Sequence, residues 1–311
     1  MIPVPLTGVI PPLCTPLTPA GEVDTRSLRA LVEHLIGARV HALFALGSTG
    51  EAAYLTDARR RTALETVVEA AAGRVPVLAG AIDMTAGRAA DQARTAARLG
   101  ADAVVATAPF YARCHPAETA DHFRRVRQAA GVPLVAYDIP AAVHTRLDPE
   151  VLLRLAAEGT LSGVKDSSGD DGALRRLLVA VRGRGLHGSF AVLTGSELAA
   201  DGALLAGAHG LVPGLGNVDP HGFTRLYAHA RAGQWEAAAA EQDRLAALFG
   251  LAAVGDPAVM GVDSRAYGGF KAALHLLGVI GCPATAAPQV PLDEAAVKAV
   301  RGYLEEGGLL P

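Results

Sequence analysis

Residues 75–108, VPVLAGAIDMTAGRAADQARTAARLGADAVVATA, contain one complete strand–helix–strand pattern. The runs 75–82 and 102–108 are short and apolar on both faces, as expected for parallel strands that are covered by helices. Between them, residues 86–99 carry alanines on one face and charged residues on the other, which is the period of an amphipathic helix. The stretch therefore predicts two parallel strands that are joined by a helix.

The same alternation continues as far as residue 212. Further strands are predicted at 8–17, 41–48, 133–139, 161–166, 190–195 and 209–212, and further helices at 25–38, 56–72, 117–130, 149–157, 173–182 and 198–206. Eight strands that alternate with helices predict an α/β fold, a (β/α)8 TIM barrel, for which about 250 residues is typical. A doubly wound sheet is the competing topology, but its dinucleotide-binding G-x-G-x-x-G turn does not follow the first strand.

The alternation stops after residue 222. Three further helices, separated by loops with glycine and proline, are predicted at 234–249, 267–277 and 292–304. We therefore predict a catalytic barrel over residues 1–222 and a C-terminal helical region over residues 223–311. The second region carries no chemical motif, and its predicted role is to complete the packing or to form a subunit interface.

Composition excludes several classes of protein. Half of the 311 residues are hydrophobic and 19% are charged, as in a folded chain, and the net charge of −3 argues against nucleic-acid binding. Residues 1–21 contain six prolines and no charged side chain, so they fit neither a signal peptide nor a membrane span. The widely spaced Cys14, Cys114 and Cys282 indicate free thiols in a reducing compartment. We therefore expect a cytoplasmic protein without a membrane partner.

Lys165 is the residue that indicates the chemistry. The chain has three lysines, and only Lys165 lies in a predicted barrel strand, 161–166, near the carboxyl end where barrel active sites form. Burying an ammonium group is costly unless it is paired or loses its proton, and the neutral amine is the form that attacks a carbonyl. The alternative is a buried ion pair with Asp166 or Glu197.

Hydroxyl groups lie at the ends of three other predicted strands. Strand 41–48 leads into Gly47-Ser48-Thr49-Gly50-Glu51, whose N–H groups and two hydroxyls suit an anion such as a carboxylate. Tyr137 and Tyr111 end the fifth and fourth strands, where a phenol can relay protons. The alternatives are an ordinary capped turn for the loop and a packing role for each tyrosine.

The sequence predicts no metal site and no cofactor. Ten histidines are present, but none lie three to five residues apart, and no Cys-x-x-Cys occurs. Metal ligands would therefore have to come from distant strands.

Four motifs together resemble one known family. Residues 47–51, 109–111, 137–140 and 163–166 agree in order, spacing and strand-end placement with the dihydrodipicolinate synthase / N-acetylneuraminate lyase family of class I aldolases. The segment 270–278 is similar to the C-terminal part of that family. The resemblance implies a homotetramer, a dimer of dimers, that forms a Schiff base between a lysine and a 2-keto acid.

The resemblance also implies roles for individual residues. Lys165 corresponds to the Schiff-base lysine, Tyr137 to the proton-relay tyrosine, and Ser48 and Thr49 to the hydroxyl pair of the carboxylate loop. Tyr111 corresponds to a tyrosine that enters the site from a neighbouring subunit.

Four more residues complete the expected substrate-binding set. Gly47 belongs to the carboxylate loop, and Gly195 and Val212 lie at the ends of the seventh and eighth predicted strands. His144 is a candidate for the distal end of the substrate, with a surface or capping role as the alternative.

Three positions depart from the family pattern. Ala142 stands where the synthase branch carries an arginine for the carboxylate of its second substrate, which argues against that activity unless Arg146 or His144 substitutes. Gly214 stands where sialic-acid lyases have a serine, and Asp138 replaces the usual asparagine. The motifs thus define the family better than the substrate.

We predict an aldolase or lyase that forms or cleaves a carbon–carbon bond of a pyruvate-type 2-keto acid through an imine on Lys165. An aldehyde or a sugar acid is the expected other substrate. Four alternatives remain: dehydration of a 2-keto-3-deoxy sugar acid, dihydrodipicolinate synthase activity, keto-acid binding without catalysis, and a structural barrel with a paired core lysine.

Overall fold

An eight-stranded parallel sheet forms the centre of the computed structural model, which describes residues 3–311. The strands are β1 (Gly8–Val9), β2 (Leu43–Ala45), β3 (Val77–Gly80), β4 (Ala103–Thr107), β5 (Leu134–Asp138), β6 (Gly163–Asp166), β7 (Ala191–Thr194) and β8 (Gly210–Leu211). Every strand lies within a predicted run but is shorter than that run. The difference is largest for β1, because Pro11, Pro12 and Pro16 have no N–H to donate to a neighbouring strand.

The sheet curls so that its first two strands approach each other. Each strand from β2 to β8 pairs in parallel with the next, and β8 pairs with β1. Between β1 and β2, the His41 N–H donates to Val9 O over 2.9 Å and the Phe44 N–H donates to Pro11 O over 3.1 Å. This arrangement is consistent with a TIM barrel.

Twelve α-helices surround and follow the strands between residues 3 and 311. They are α1 (Thr25–Gly37), α2 (Asp57–Ala71), α3 (Ala86–Arg98), α4 (Pro116–Ala130), α5 (Pro140–Val143), α6 (Pro149–Ala157), α7 (Asp171–Gly183), α8 (Ala200–Ala206), α9 (Pro220–Arg231), α10 (Trp235–Leu248), α11 (Val262–Leu276) and α12 (Glu294–Glu306). None of these helices is long and apolar enough to cross a membrane.

Helix α9 is absent from the sequence prediction. It begins with a proline after Asp219, whose side chain accepts a hydrogen bond from the Gly222 N–H, and it buries Phe223 and Leu226. The sequence pattern does not reveal it because Gly222 and two histidines interrupt the helical period. The division predicted between residues 222 and 223 falls inside this helix.

Two apolar clusters pack against the two faces of the sheet. An outer cluster lies between the strands and the helices and contains Val164 of β6. An inner cluster contains one residue from each of β2, β4, β5 and β7, namely Phe44, Val105, Tyr137 and Leu193. Because successive strand residues point to opposite faces, the position of Val164 in the outer cluster turns its neighbour Lys165 inward.

Candidate active site

Lys165 lies on the inner side of the strands, at the third position of β6. Its register partners are Tyr137 on β5 and Leu193 on β7. The Nζ atom is 4.2 Å from the centre of the Tyr137 ring and 5.4 Å from that of Phe44, distances at which an aromatic face attracts a cation. The side chain is thus held among aromatic rings, and the residue is 5% exposed.

The two carboxyls predicted as ion-pair partners of Lys165 bind backbone N–H groups instead. Asp166 Oδ1 accepts from the Ser168 N–H over 2.8 Å, and Glu197 Oε1 accepts from the Leu215 N–H. Among residues 3–311, the ion pairs do not include Lys165. The amine therefore has no bound acid that a substrate would have to displace.

Glu197, whose carboxyl is affected by the charge of the Lys165 amine, has a perturbed pKa. Burial raises the pKa of its carboxyl to about 7, although the hydrogen bond from the Leu215 N–H and the positive charge of Lys165 act in the opposite direction. The Glu197 carboxyl therefore exchanges its proton near neutral pH. Sequence analysis proposed Glu197 only as an ion-pair partner.

Tyr137 connects Lys165 to the loop after β2. The Tyr137 hydroxyl lies 3.5 Å from Ser48 Oγ, while its ring lies against the Lys165 amine. Thr107, its register partner on β4, is buried, and its Oγ1 atom has no hydrogen-bond partner within residues 3–311. The structure thus brings the predicted Lys165, Tyr137 and Ser48 together.

The loop at residues 47–51 presents unused N–H groups. Its turn is closed by hydrogen bonds from the Gly50 N–H to Gly47 O and from the Glu51 N–H to Ser48 O. The Ser48 and Thr49 N–H groups donate no hydrogen bond within residues 3–311, and the Thr49 side chain is buried. Two free N–H groups beside the Ser48 hydroxyl form a site that suits a carboxylate.

A buried ion pair holds the end of this loop. Glu51 has a left-handed backbone with a φ of 56°, and its carboxylate pairs with Lys271 of α11 at a site where neither side chain is exposed. Lys271 Nζ also donates to Ala284 O, and Glu51 Oε1 accepts from the Ala286 N–H. Sequence analysis missed this pair, although a lysine within an otherwise apolar helical segment was a possible signal.

A cavity of about 540 Å³ opens at the carboxyl ends of β2–β5. Its lining includes Gly47 and Ser48 after β2, Thr107 at the end of β4 and Ile139 after β5. Lys165 does not itself line this cavity and is connected to it through Tyr137 and Ser48. Open space therefore adjoins the predicted catalytic residues at the face where barrel active sites form.

Gly195 lies beside Lys165, and neither Gly195 nor Val212 lines the cavity. A Cβ atom on Gly195 would lie 3.2 Å from Lys165 Cε and 2.1 Å from Ser167 Oγ, so a side chain here would displace the Ser167 hydroxyl and crowd Lys165. Val212 is buried in the inner cluster together with Tyr137.

Two predicted site residues, Tyr111 and His144, are exposed and do not line the cavity. Tyr111 is 85% exposed, whereas its neighbour Phe110 lines the cavity. His144, which was expected to face the distal end of the substrate, is exposed and is absent from the lining in this chain. His144 follows α5 with a φ of 54°, its N–H donates to Pro140 O, and the chain turns away after Val143.

Arg146 is likewise held away from the cavity. Its Nε atom donates to Asp138 Oδ2 over 3.0 Å, and its guanidinium lies 3.9 Å from Asp170. Asp138 also accepts from the Leu147 N–H. The carboxylate that replaces the family asparagine thus fixes Arg146, and Ala142 leaves the adjacent cavity wall without a cation.

Helix α11 contributes residues that sequence analysis did not predict. Asp263, Ser264 and Tyr267 line the cavity, although the C-terminal helices were expected to complete the packing or to form a subunit interface. Burial raises the pKa of Asp263 above its ordinary value, and a hydrogen bond from the Tyr267 hydroxyl partly offsets this effect. Burial, followed by the charge of Asp263, raises the pKa of Tyr267. No motif in the sequence signals these contacts, because they depend on how α11 packs.

No group of three His, Cys, Asp or Glu side chains between residues 3 and 311 is arranged to hold a metal ion. The site itself presents an amine, hydroxyls, carboxyls and backbone N–H groups.

A model of the dihydrodipicolinate synthetase family matches residues 5–306. The chain belongs to this family. The match covers the eight strands and nearly all of the C-terminal helices, so membership extends to both predicted regions.

Relatives in the dihydrodipicolinate synthetase family resemble this chain over almost its full length. The 4-hydroxy-tetrahydrodipicolinate synthase of Phenylobacterium zucineum is 33% identical over 306 residues, which cover 97% of this chain and 98% of the relative. That of Xanthomonas campestris pv. campestris is 35% identical over 297 residues and 95% of each chain.

Solved structures of the family agree with the fold. YagE, a prophage protein from E. coli K12 solved in complex with pyruvate, matches with a TM-score of 0.90 and 28% identity over 97% of this chain and 99% of its own. The dihydrodipicolinate synthase from Bacteroides thetaiotaomicron matches with a TM-score of 0.91 and 30% identity over 98% and 99% of the two chains.

Proposed function

We propose that this protein is a class I aldolase or lyase that forms or cleaves a carbon–carbon bond of a pyruvate-type 2-keto acid through a Schiff base on Lys165. One observation carries the proposal: Lys165 is buried on the inner side of the strands, has no ion pair within residues 3–311, and contacts Tyr137 beside the carboxylate loop. The pyruvate complex of the similar YagE protein supports the choice of keto acid.

The carboxylate of the keto acid binds at the loop of residues 47–49. The unused N–H groups of Ser48 and Thr49 and the Ser48 hydroxyl supply its hydrogen bonds. This contact places the C2 carbonyl toward Lys165, and the lack of a side chain on Gly195 lets Ser167 and Lys165 pack there. Val212 completes the apolar surroundings.

The neutral Lys165 amine attacks C2, and the resulting carbinolamine loses water to give a protonated imine. The imine accepts the electron pair of the C3–C4 bond as that bond breaks, and an enamine remains. Tyr137 takes the proton from the C4 hydroxyl during cleavage and returns it during synthesis. Tyr111, exposed in one chain, acts in the site of a neighbouring subunit of a homotetramer.

The chain divides into a catalytic TIM barrel and a C-terminal helical extension. Helix α9 crosses the boundary first placed after residue 222, so we place the boundary after α9 instead. The free thiols of Cys14, Cys114 and Cys282 support a cytoplasmic location.

Reductive trapping tests the proposed Schiff base. Borohydride added with pyruvate should attach the reduced adduct to Lys165, as located by peptide mass spectrometry. Lys165→Met should abolish trapping and turnover, whereas Lys298→Ala, which removes an exposed lysine of α12, should leave both unchanged. Turnover at the parental rate by Lys165→Met would refute the mechanism.

Dihydrodipicolinate synthase activity is the second candidate, because relatives at 33% and 35% identity carry that name. The lack of a cation near Ala142 argues against it, since the carboxylate of the semialdehyde substrate would have no partner there. Product analysis with pyruvate and aspartate semialdehyde distinguishes the two candidates.

A further inference from the structure

We propose that the first turns of α11 form a subsite for the hydroxyl groups of an uncharged aldehyde, which is the second substrate of the aldolase. The inference rests on the proposed function, because it concerns the part of the substrate beyond the pyruvate carbons. Its basis is the wall of the cavity formed by Asp263, Ser264 and Tyr267.

The cavity has room for such a chain. Its volume of about 540 Å³ lies within the range of about 300–1,000 Å³ found for small-molecule sites. The keto-acid carboxylate is assigned to the Ser48 side of the lining, and α11 supplies other lining residues. Ala142 and Val143 contribute an apolar surface against which the carbon chain can lie.

The charge of the lining disfavours an anionic aldehyde. Within residues 3–311 the lining contains two carboxylates, Glu51 and Asp263, and no lysine, arginine or histidine. Lys271 neutralises Glu51. Asp263 has no ion-pair partner in that range, and the neighbouring Tyr267 hydroxyl only partly opposes the rise in the pKa of Asp263 that burial causes. A substrate carboxylate would therefore meet an unpaired negative charge in the wall of the cavity.

Arg146, the cation that the sequence offered as a substitute at Ala142, is already engaged. Arg146 donates to Asp138 and lies close to Asp170, and neither Arg146 nor His144 lines the cavity. Freeing Arg146 would leave the buried Asp138 carboxylate unpaired, which is costly. The wall at Ala142 therefore offers no partner for a semialdehyde carboxylate.

The polar groups of the lining complement hydroxyl groups instead. Five hydroxyl side chains line the cavity, from Ser48, Tyr54, Thr107, Ser264 and Tyr267. Thr107 is 3% exposed, and its Oγ1 atom is without a hydrogen-bond partner within residues 3–311. A substrate hydroxyl both donates and accepts, so a polyhydroxylated chain can bond to these hydroxyls and also donate to the Asp263 carboxylate.

A panel of four aldehydes tests the inference with pyruvate at saturation. Glyceraldehyde is neutral and hydroxylated, succinate semialdehyde is anionic, 3-aminopropanal is cationic and butanal is apolar. We expect kcat/KM for glyceraldehyde to exceed that for each of the others by about tenfold or more.

Variants of α11 identify the residue responsible. Asp263→Ala should lower kcat/KM for glyceraldehyde by about 10- to 100-fold, the effect of losing a hydrogen bond to a charged group. Asp263→Asn should lower the ratio of kcat/KM for glyceraldehyde to kcat/KM for succinate semialdehyde, because the charge that repels the anionic aldehyde is removed. Asp243→Asn is the matched control, since Asp243 is exposed on α10, and thermal melting shows whether each variant is folded.

The outcomes separate this inference from the proposed function. Failure of borohydride to trap pyruvate on Lys165 in the parent would overturn both. Normal trapping with a preference for the anionic, cationic or apolar aldehyde would overturn only the inference, as would a folded Asp263→Ala variant with parental kcat/KM for glyceraldehyde. Preference for glyceraldehyde that depends on Asp263 supports the subsite.

Discussion

Lys165 and Glu197 are ionisable side chains near the carboxyl ends of β6 and β7. Lys165 contacts two aromatic rings, whereas the Glu197 carboxyl is buried beneath the chain that follows β8. Burial raises the pKa of Glu197 to about 7 from 4.5. The folded protein therefore retains a proton on Glu197 at pH values at which the unfolded chain has released it.

The pH dependence of stability should reveal this proton. Because the folded pKa of Glu197 is raised, its stabilising contribution is complete below about pH 4.5 and is lost as the pH rises to about 7. Relative to Glu197→Gln, the parent should lose on the order of 3 kcal/mol of unfolding free energy across this window. Urea unfolding of both proteins at the two ends of the window measures the difference.

Asp243→Asn serves as the control for removing an exposed carboxyl. The difference in unfolding free energy between this variant and the parent should be the same at both ends of the window. The unfolding free energies of the parent and Glu197→Gln could instead differ by the same amount at both ends of the window. That result would show that Glu197 has an ordinary pKa in the folded protein.

At the scale of elements, β3 sets the position of the carboxylate loop. A Cβ atom on Gly80 would lie 1.9 Å from Leu46 O, immediately before the loop at residues 47–51. Leu46 also has a positive φ of 60°, so the backbone there has little freedom to adjust. The absence of a side chain at Gly80 is what allows the loop to approach the end of β3.

Gly80→Ala should therefore displace the loop. We expect about a 100-fold loss of kcat/KM for pyruvate, the effect of misplacing a binding group by roughly an ångström. Gly87→Ala in α3 is the matched control, because nothing lies within 4 Å of its added Cβ atom. Parental kinetics in a folded Gly80→Ala variant would mean that the loop tolerates the shift.

The positions of the strands could be predicted from the sequence, but their ends and the helices α5 and α9 could not. Apolar runs locate all eight strands because the sheet buries both faces. The end of β1 depends on the prolines that follow Val9, because a proline has no N–H for the hydrogen bonds between strands. The apolar character of the run does not show where those bonds stop. Helix α9 escaped prediction because Gly222 weakens its period, whereas Asp219 and buried contacts stabilise it.

At the scale of the whole molecule, the Glu51–Lys271 pair joins the active-site loop to α11. The pair is fully buried, and each partner also bonds to the chain at residues 284–286. Removing one member of such a pair leaves an uncompensated charge in the interior. The C-terminal helices thus help to fix the loop that is proposed to bind the keto acid.

A double-mutant cycle tests this connection. Lys271→Met should lower the unfolding free energy by about 3–5 kcal/mol, because Glu51 loses its partner. Adding Glu51→Gln should recover a substantial part of this loss, since the buried charge is then absent. Denaturant unfolding of the parent, both single variants and the double variant measures the coupling, and additive losses would mean that the two side chains act independently.

The part of the candidate site that lies at the carboxyl ends of the strands could be predicted from the sequence, because a parallel sheet brings those ends together. Lys165, Tyr137 and Ser48 meet because each lies at or just beyond the carboxyl end of its strand. Asp263 and Tyr267 could not be predicted in this way, since their place in the cavity depends on how α11 packs against distant loops. The same limit applies to the partner of Lys271.

Helix α11 follows the last strand and yet forms part of the cavity wall, whereas the proposed imine-forming amine belongs to β6. The proposed imine chemistry and the proposed choice of aldehyde thus belong to separate stretches of the gene. A duplicated copy of that gene could gain a new aldehyde preference through changes confined to its 3′ portion, with the amine and its aromatic surroundings left as they were.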